Sequence, residues 1–190
     1  GVPGSIGGAV RMNAGGHGSD MAASLLGVHV YDLLVARKAW VPAERLGLRF
    51  RGSSLADHQV VLDARVQLEH GDIDESDAVL AEIVRWRREH QPGGQNAGSV
   101  FVNPIPGELP AAVLIDRLGL RGFRIGGACV SKKHANFIQA KHGATAADVR
   151  AVMRHVCDAV REHTGFDLRS EIRLVGFDDV ADQPAVGVPL

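Results

Sequence analysis

GVPGSIGGAVRMNAGGHG, residues 1–18, is dense in glycine and carries one charged side chain, Arg11. Glycine has no Cβ, so such a run lets backbone N–H groups approach a flat or phosphorylated ligand closely. The stretch therefore predicts a backbone-built ligand cradle. Because the sequence opens directly on it, the rest of that cradle is expected in a segment preceding Gly1. The run is not a Gly-x-Gly-x-x-Gly turn leading from a strand into a helix, so a Rossmann reading is rejected.

Downstream of the cradle, 25–31 (LLGVHVY) and 34–40 (LVARKAW) predict two strands joined through Asp32 and Leu33. A short strand is expected at 48–51 (LRFR) and a half-buried one at 60–68 (VVLDARVQL), together a meandering sheet. A helix follows, with Asp74 as N-cap and Val79, Leu80, Ile83 and Val84 on one face. It ends on Arg85, Arg87 and Arg88 before Pro92-Gly93-Gly94. Residues 91–98 (QPGGQNAG) read as a linker. Beyond it come a short strand at 99–102, a helix at 111–118 closed by Gly119, and short strands at 123–125 and 137–140. A long helix capped by Thr145, with Asp148 three residues on, carries Val149, Val152, Met153, Val156 and Val160 at helical spacing and stops at Gly165. A last strand at 172–175 and a frayed tail from Asp178 complete an α+β pattern.

The 190 residues suit one large or two small domains, and a 45% hydrophobic content can fill a core. A net charge of −1 gives no electrostatic case for nucleic acid or an anionic membrane. No apolar run approaches the roughly 20 residues needed to span a bilayer. Cys129 and Cys157 show no CxxC spacing, which points to a reducing cytoplasm and buried thiols. The nine histidines form no His-Glu-x-x-His pair, so no metal is expected.

Five segments, GVPGSIGGAVRMNAG (1–15), LRFRGSSL (48–55), QNAGSVFVNP (95–104), GGACVSKKHANFI (126–138) and LRSEIRLVG (168–176), resemble in order and spacing the UDP-N-acetylenolpyruvoylglucosamine reductases, flavoenzymes of peptidoglycan precursor synthesis. The resemblance covers roughly residues 1–177. It implies the second part of a two-lobed FAD-binding domain of the vanillyl-alcohol-oxidase (PCMH-like) kind over 1–94, without its N-terminal lobe. It implies a small α+β substrate-binding domain over 95–190, whose final strand returns to the site. The short 32–60 region resembles the subtype without a tyrosine-bearing loop. By resemblance the cofactors are FAD and NADPH, and the partner is a UDP-sugar enolpyruvyl ether. A cytoplasmic monomer is expected, touching neither nucleic acid nor membrane.

That chemistry needs a flavin held flat, cations on the substrate carboxylate, stabilised enolate charge and a proton donor. On residue type alone, Ser99 is a turn serine, Glu171 a strand-end carboxylate and Arg51 a surface cation. The resemblance makes Ser99 the proton donor, Glu171 its assisting carboxyl and Arg51 the guanidinium that steadies developing charge. It places Arg87 (or, by register, Arg88), Asn103 and Lys133 on the substrate, and Gly7, Gly8, Arg11 and Asn13 on the flavin. Two other readings stand: a non-catalytic nucleotide-sugar-binding module, and a different flavin oxidoreductase, against which the NAGSVFVNP and SEIR segments argue.

Overall fold

A computed structural model of the protein describes residues 4–177 and 188–190. The chain divides into two compact units. One comprises the described residues up to Ala81 with 188–190, and the other is Glu82–Phe177.

The first unit is built on a three-stranded antiparallel sheet. β3 (Leu25–Asp32) lies between β4 (Arg37–Pro42) and β5 (Gln59–Val66). The expected meander is thus corrected: β5 pairs with β3 and not with its predecessor. The central strand is the one whose Val28 and Val30 are fully buried, while the edge strand β4 begins with exposed Arg37 and Lys38. Gly27 is required in β3, because a Cβ there would stand 2.5 Å from the Trp40 ring and 2.7 Å from the Val41 carbonyl. The core also takes in Val10, Leu46 and Leu55.

The glycine run holds a short helix, α1 (Ile6–Arg11), that the sequence reading took for open cradle. Glycine disfavours helix by about 1 kcal/mol per residue relative to alanine. The helix forms nonetheless because the Ser5 Oγ accepts the Gly8 N–H at 3.1 Å and Val10 is buried in the core. A two-residue ribbon, β1 (Gly15–Gly16) with β2 (Ser19–Asp20), follows. The strand expected at 48–51 is instead a tight turn, in which Arg49 and Gly52 exchange both backbone hydrogen bonds at 3.0 Å.

The division between units falls inside α2 (Ile73–His90). Asp72, not Asp74, caps this helix, its Oδ1 accepting the Glu75 N–H at 3.0 Å. In the second unit an antiparallel sheet runs in the order β6 (Gln95–Ser99), β9 (Phe137–Ala140), β8 (Ala128–Val130), β7 (Arg124–Ile125). The second half of the expected linker, residues 95–98, is therefore part of strand β6. The strand placed at 172–175 is absent, and chain return is made instead by the isolated bridge Phe101↔Ser170. The tail from Asp178 lies outside the described residues as far as 187.

Two helices complete this unit, α3 (Ala111–Arg117) and α4 (Ala146–Thr164). Val152, Met153, Val156 and Val160 of α4 pack into the core with Val100, Phe101, Ile115 and Val130. Each such side chain contributes about 1.5–3 kcal/mol by leaving water. Thr145 and Asp148 form the anticipated capping box, and Gly165 ends the helix at φ 75°. The Asp148 carboxylate also accepts the Gly127 N–H at 3.1 Å, which ties the β7–β8 turn to the helix start. These backbone bonds hold its pKa below the ordinary carboxylate range.

Candidate active site

Ser99 is the last residue of β6 and is half-buried. The β6–β9 ladder pairs Gln95 with Ala140 and Asn96 with Gln139, then resumes at Ser99 with Phe137. Three steps on one strand answer two on the other, so a bulge occupies Ala97–Gly98. Gly98 has φ 80°, and its N–H is held by the Asn96 side chain at 2.9 Å. The serine's aim is thus fixed by a left-handed glycine directly before it.

Beyond Ser99 the ladder stops and other groups take over the backbone. The Val100 N–H donates to the Asn136 carbonyl at 2.9 Å, and the Val100 carbonyl accepts the Glu171 N–H at 2.7 Å. The Val102 N–H donates to the Arg169 carbonyl at 2.9 Å. The structure therefore brings the backbones of Ser99 and Glu171 side by side, one residue from a shared hydrogen bond, and leaves Glu171 half-buried.

The expected substrate-binding residues lie in the same unit. Arg87 is half-buried near the end of α2, and its carbonyl accepts the Gln91 N–H. The Lys133 ammonium donates to the neighbouring Arg88 carbonyl. Lys133 is therefore held at the helix end that carries Arg87. The Lys133 loop is organised by buried Ser131, whose Oγ accepts the Lys133 and His134 N–H groups at 3.1 and 3.3 Å. The Asn103 carboxamide oxygen accepts the Ala111 N–H at 3.1 Å, so this side chain supports the start of α3. His134 is kept neutral chiefly by burial, with Arg121 adding to the effect, and its pKa lies below the usual imidazole value. In keeping with this, its Nδ1 accepts the Asn136 N–H at 3.2 Å.

The remaining predicted residues belong to the first unit. Arg51 stands at φ 52° in the 49–52 turn, half-buried, with its guanidinium 5.0 Å from the Phe50 ring centre. Its neighbour Arg49 is exposed. Gly7 faces β5, where an added Cβ would touch Val61 at 3.4–3.5 Å, and Gly8 is exposed. Arg11 donates to the Leu55 carbonyl and to Asp57 Oδ1 at 2.5 Å. Asn13 is 4% exposed at φ 41°. Its carboxamide donates to Asp20 at 2.8 Å and to the Arg49 carbonyl at 3.3 Å, and accepts the Ala22 N–H at 3.0 Å. Arg11 and Asn13 thus hold the glycine segment in shape.

Asn136 and Ser131, buried and central to this geometry, escape sequence reasoning. Both sit in the quoted GGACVSKKHANFI segment, but nothing local distinguishes a buried polar residue there from a solvated one. Cys129 and Cys157 are free, and burial pushes the Cys157 thiol up, away from nucleophilic use. Among the described residues no helix is long and apolar enough to cross a membrane.

Comparison with known proteins places this geometry in a family. The family model described as the C-terminal domain of UDP-N-acetylenolpyruvoylglucosamine reductase matches residues 90–175. A reductase of that name from Heliobacterium modesticaldum is 42% identical over 178 residues, which are 93% of this chain and 56% of that protein. Another from Bacillus licheniformis is 38% identical over 182 residues, 93% of this chain and 96% of that one. The crystal structure of the Thermus caldophilus enzyme superimposes with a TM-score of 0.79 at 35% identity, covering 91% of this chain and 61% of that one. The chain spans little more than half the length of several curated relatives. With these matches across nearly its whole length, the chain belongs to the UDP-N-acetylenolpyruvoylglucosamine reductase family.

Proposed function

We propose that this chain forms the catalytic and substrate-binding part of a cytoplasmic flavoprotein that reduces the enolpyruvyl ether of UDP-N-acetylglucosamine to the lactyl ether, in peptidoglycan precursor synthesis. The observation that carries the reading is the Glu171 N–H bond to the carbonyl of Val100, the residue directly after Ser99, within the segment that the family model matches. Ser99 and Glu171 lie in Glu82–Phe177, Arg51 in the other unit.

FAD, reduced by NADPH, supplies the hydride equivalent when bound. The chain's own share of its bed is the Gly-rich turn and α1, where exposed Gly8 leaves backbone open to a flat ring. Gly7, Arg11 and Asn13 support that segment from within. The protein's residues do the rest. As the alkene carbon beside the carboxylate gains negative charge, Ser99 Oγ gives it a proton. Glu171 replenishes the serine or steadies the enolate. Arg51 offers a planar fork to the carboxylate, a role that a point ammonium cannot fill. Arg87 and Lys133 meet the diphosphate, with the Asn103 amide also on the substrate.

The test is to separate the half-reactions. In a Ser99→Ala variant, NADPH-driven flavin reduction stays near wild type while alkene reduction slows by roughly 10²–10⁴-fold, the usual worth of a positioned acid. Equal loss in both half-reactions refutes the role given to Ser99. A second reading draws on the Lys133 ammonium meeting the Arg88 carbonyl at the end of α2. In it the chain is a nucleotide-sugar-binding module using the Arg87–Lys133 end alone. Purified protein with no flavin colour that still binds UDP-sugar would decide for that reading.

A further inference from the structure

We infer that Asn136 is the positioning residue that sets Ser99 against Glu171. This rests on the catalytic reading of that pair. Past the Ala97–Gly98 bulge the β6–β9 ladder resumes only at Ser99, so the backbone of 100–102 needs other partners. Asn136, 4% exposed, supplies most of them on one side. Its backbone carbonyl takes the Val100 N–H, its Oδ1 accepts the Phe101 N–H at 2.9 Å, and its Nδ2 donates to the Phe101 carbonyl at 2.8 Å.

The side chain therefore imitates a peptide unit of a neighbouring strand. The orientation of its amide is fixed by chemistry, because the reverse would set donor on donor and acceptor on acceptor. Glutamine is one methylene too long for the same pairing, aspartate lacks the donor, and leucine lacks both groups. On the other side of the same segment the Glu171 N–H closes on Val100. Asn136 thus fixes Val100 and Phe101, the residues that follow the serine and take the Glu171 bond.

The test uses the full 190-residue chain. Asn136→Asp keeps the shape and the acceptor but removes the donor. Amide hydrogen exchange by NMR should show protection at Phe101 and Glu171 falling roughly tenfold or more relative to Val130, which is held by Phe123 in the same sheet. A core variant, Val156→Ala, should lower all of these amides together. If Asn136→Asp lowers them together too, its role is general stability and the inference fails. In the wild type, one Asn136 side-chain amide proton should exchange slowly, a result independent of any variant's folding. Rapid exchange of both overturns the inference. In flavin-loaded protein, Asn136→Asp should reduce kcat for alkene reduction at nearly unchanged KM, with NADPH-driven flavin reduction intact. Wild-type protein inactive on the alkene would overturn the reductase reading, while the exchange data would still decide whether Asn136 holds the segment.

Discussion

Replacing Gly98 by alanine isolates the conformational demand that aims Ser99. Gly98 has φ 80°, and a Cβ built on it meets nothing within 4 Å. No overpacking arises, and the whole cost is that of forcing an L-residue into the left-handed region, about 1–2 kcal/mol. The unfolded chain loses freedom with alanine, which returns about 0.4–1 kcal/mol to the folded state. The net expectation is a loss of about 1 kcal/mol. Asparagine enters this region more readily, so Gly98→Asn should recover roughly half of it. Guanidinium unfolding followed by circular dichroism reads this as a midpoint shift of about 0.2–0.5 M at unchanged slope. Gly93→Ala is the control, since Gly93 has neither a positive φ nor a neighbour within 4 Å, and it should be neutral or slightly stabilising. If Gly98→Ala matches that control, or Gly98→Asn is no better than alanine, the bulge does not depend on a left-handed glycine. The link drawn from sequence to serine placement would then fail.

Gly127→Ala should cost more than Gly98→Ala, about 2–4 kcal/mol, for the opposite reason. Its backbone is ordinary, but the new Cβ would lie 2.6 Å from the Cα and Cβ of Ala144, so the turn before α4 must move and loosen the Thr145 cap. The same unfolding assay ranks the two, and the reverse order refutes the steric argument. His134 gives a separate pH signature. Its pKa is lowered on folding, so its contribution to stability is fully present above the unfolded value of about 6.5 and is lost as pH falls from there through the folded value. Unfolding midpoints measured from pH 7.5 down to 5 (roughly one unit to either side of that value) should drop more steeply for wild type than for His134→Gln. Parallel slopes would show that the burial of His134 carries no such linkage. The lowered carboxylates Asp32, Asp63, Asp116 and Asp148 act in a different window, from about 4 downward.

Much of the fold is legible wherever side chains repeat against one face. The α4 stripe with its Thr145 and Asp148 start is readable because a helical period reports burial directly. The misread elements are those formed by distant partners. Gly7 and Gly8 argue against a helix, yet α1 forms because Val10 reaches the core. Gln95–Ser99 is polar and glycine-containing like a linker, yet β9 draws it into a sheet. Residues 172–175 alternate like a strand but pair with no strand among the described residues. At the start of α2, Asp72 and Asp74 carry the same capping chemistry, and only backbone geometry chose between them. The site divides the same way. Ser99, Glu171 and Arg51 were named through family resemblance, whereas Asn136 acts on a backbone 35 residues away and leaves no local trace.

The defect in the ladder gives these observations one cause. A strand that continued its pairing past Ser99 would satisfy its own backbone, and nothing would draw residues 169–171 to it. The pairing stops at Ser99, just past the glycine bulge, and leaves the N–H and C=O groups of Val100 and Phe101 and the N–H of Val102 to be met inside the protein, Val100 and Phe101 being almost fully buried. Leaving such a group unpaired costs about 1–3 kcal/mol. Asn136 meets those on one side, and the backbone of Arg169 and Glu171 meets those on the other. On the proposed mechanism, then, Glu171 arrives beside the serine because the ladder stops directly after the residue that carries the hydroxyl. Restoring the ladder, by any substitution that flattens the bulge, should remove both at once.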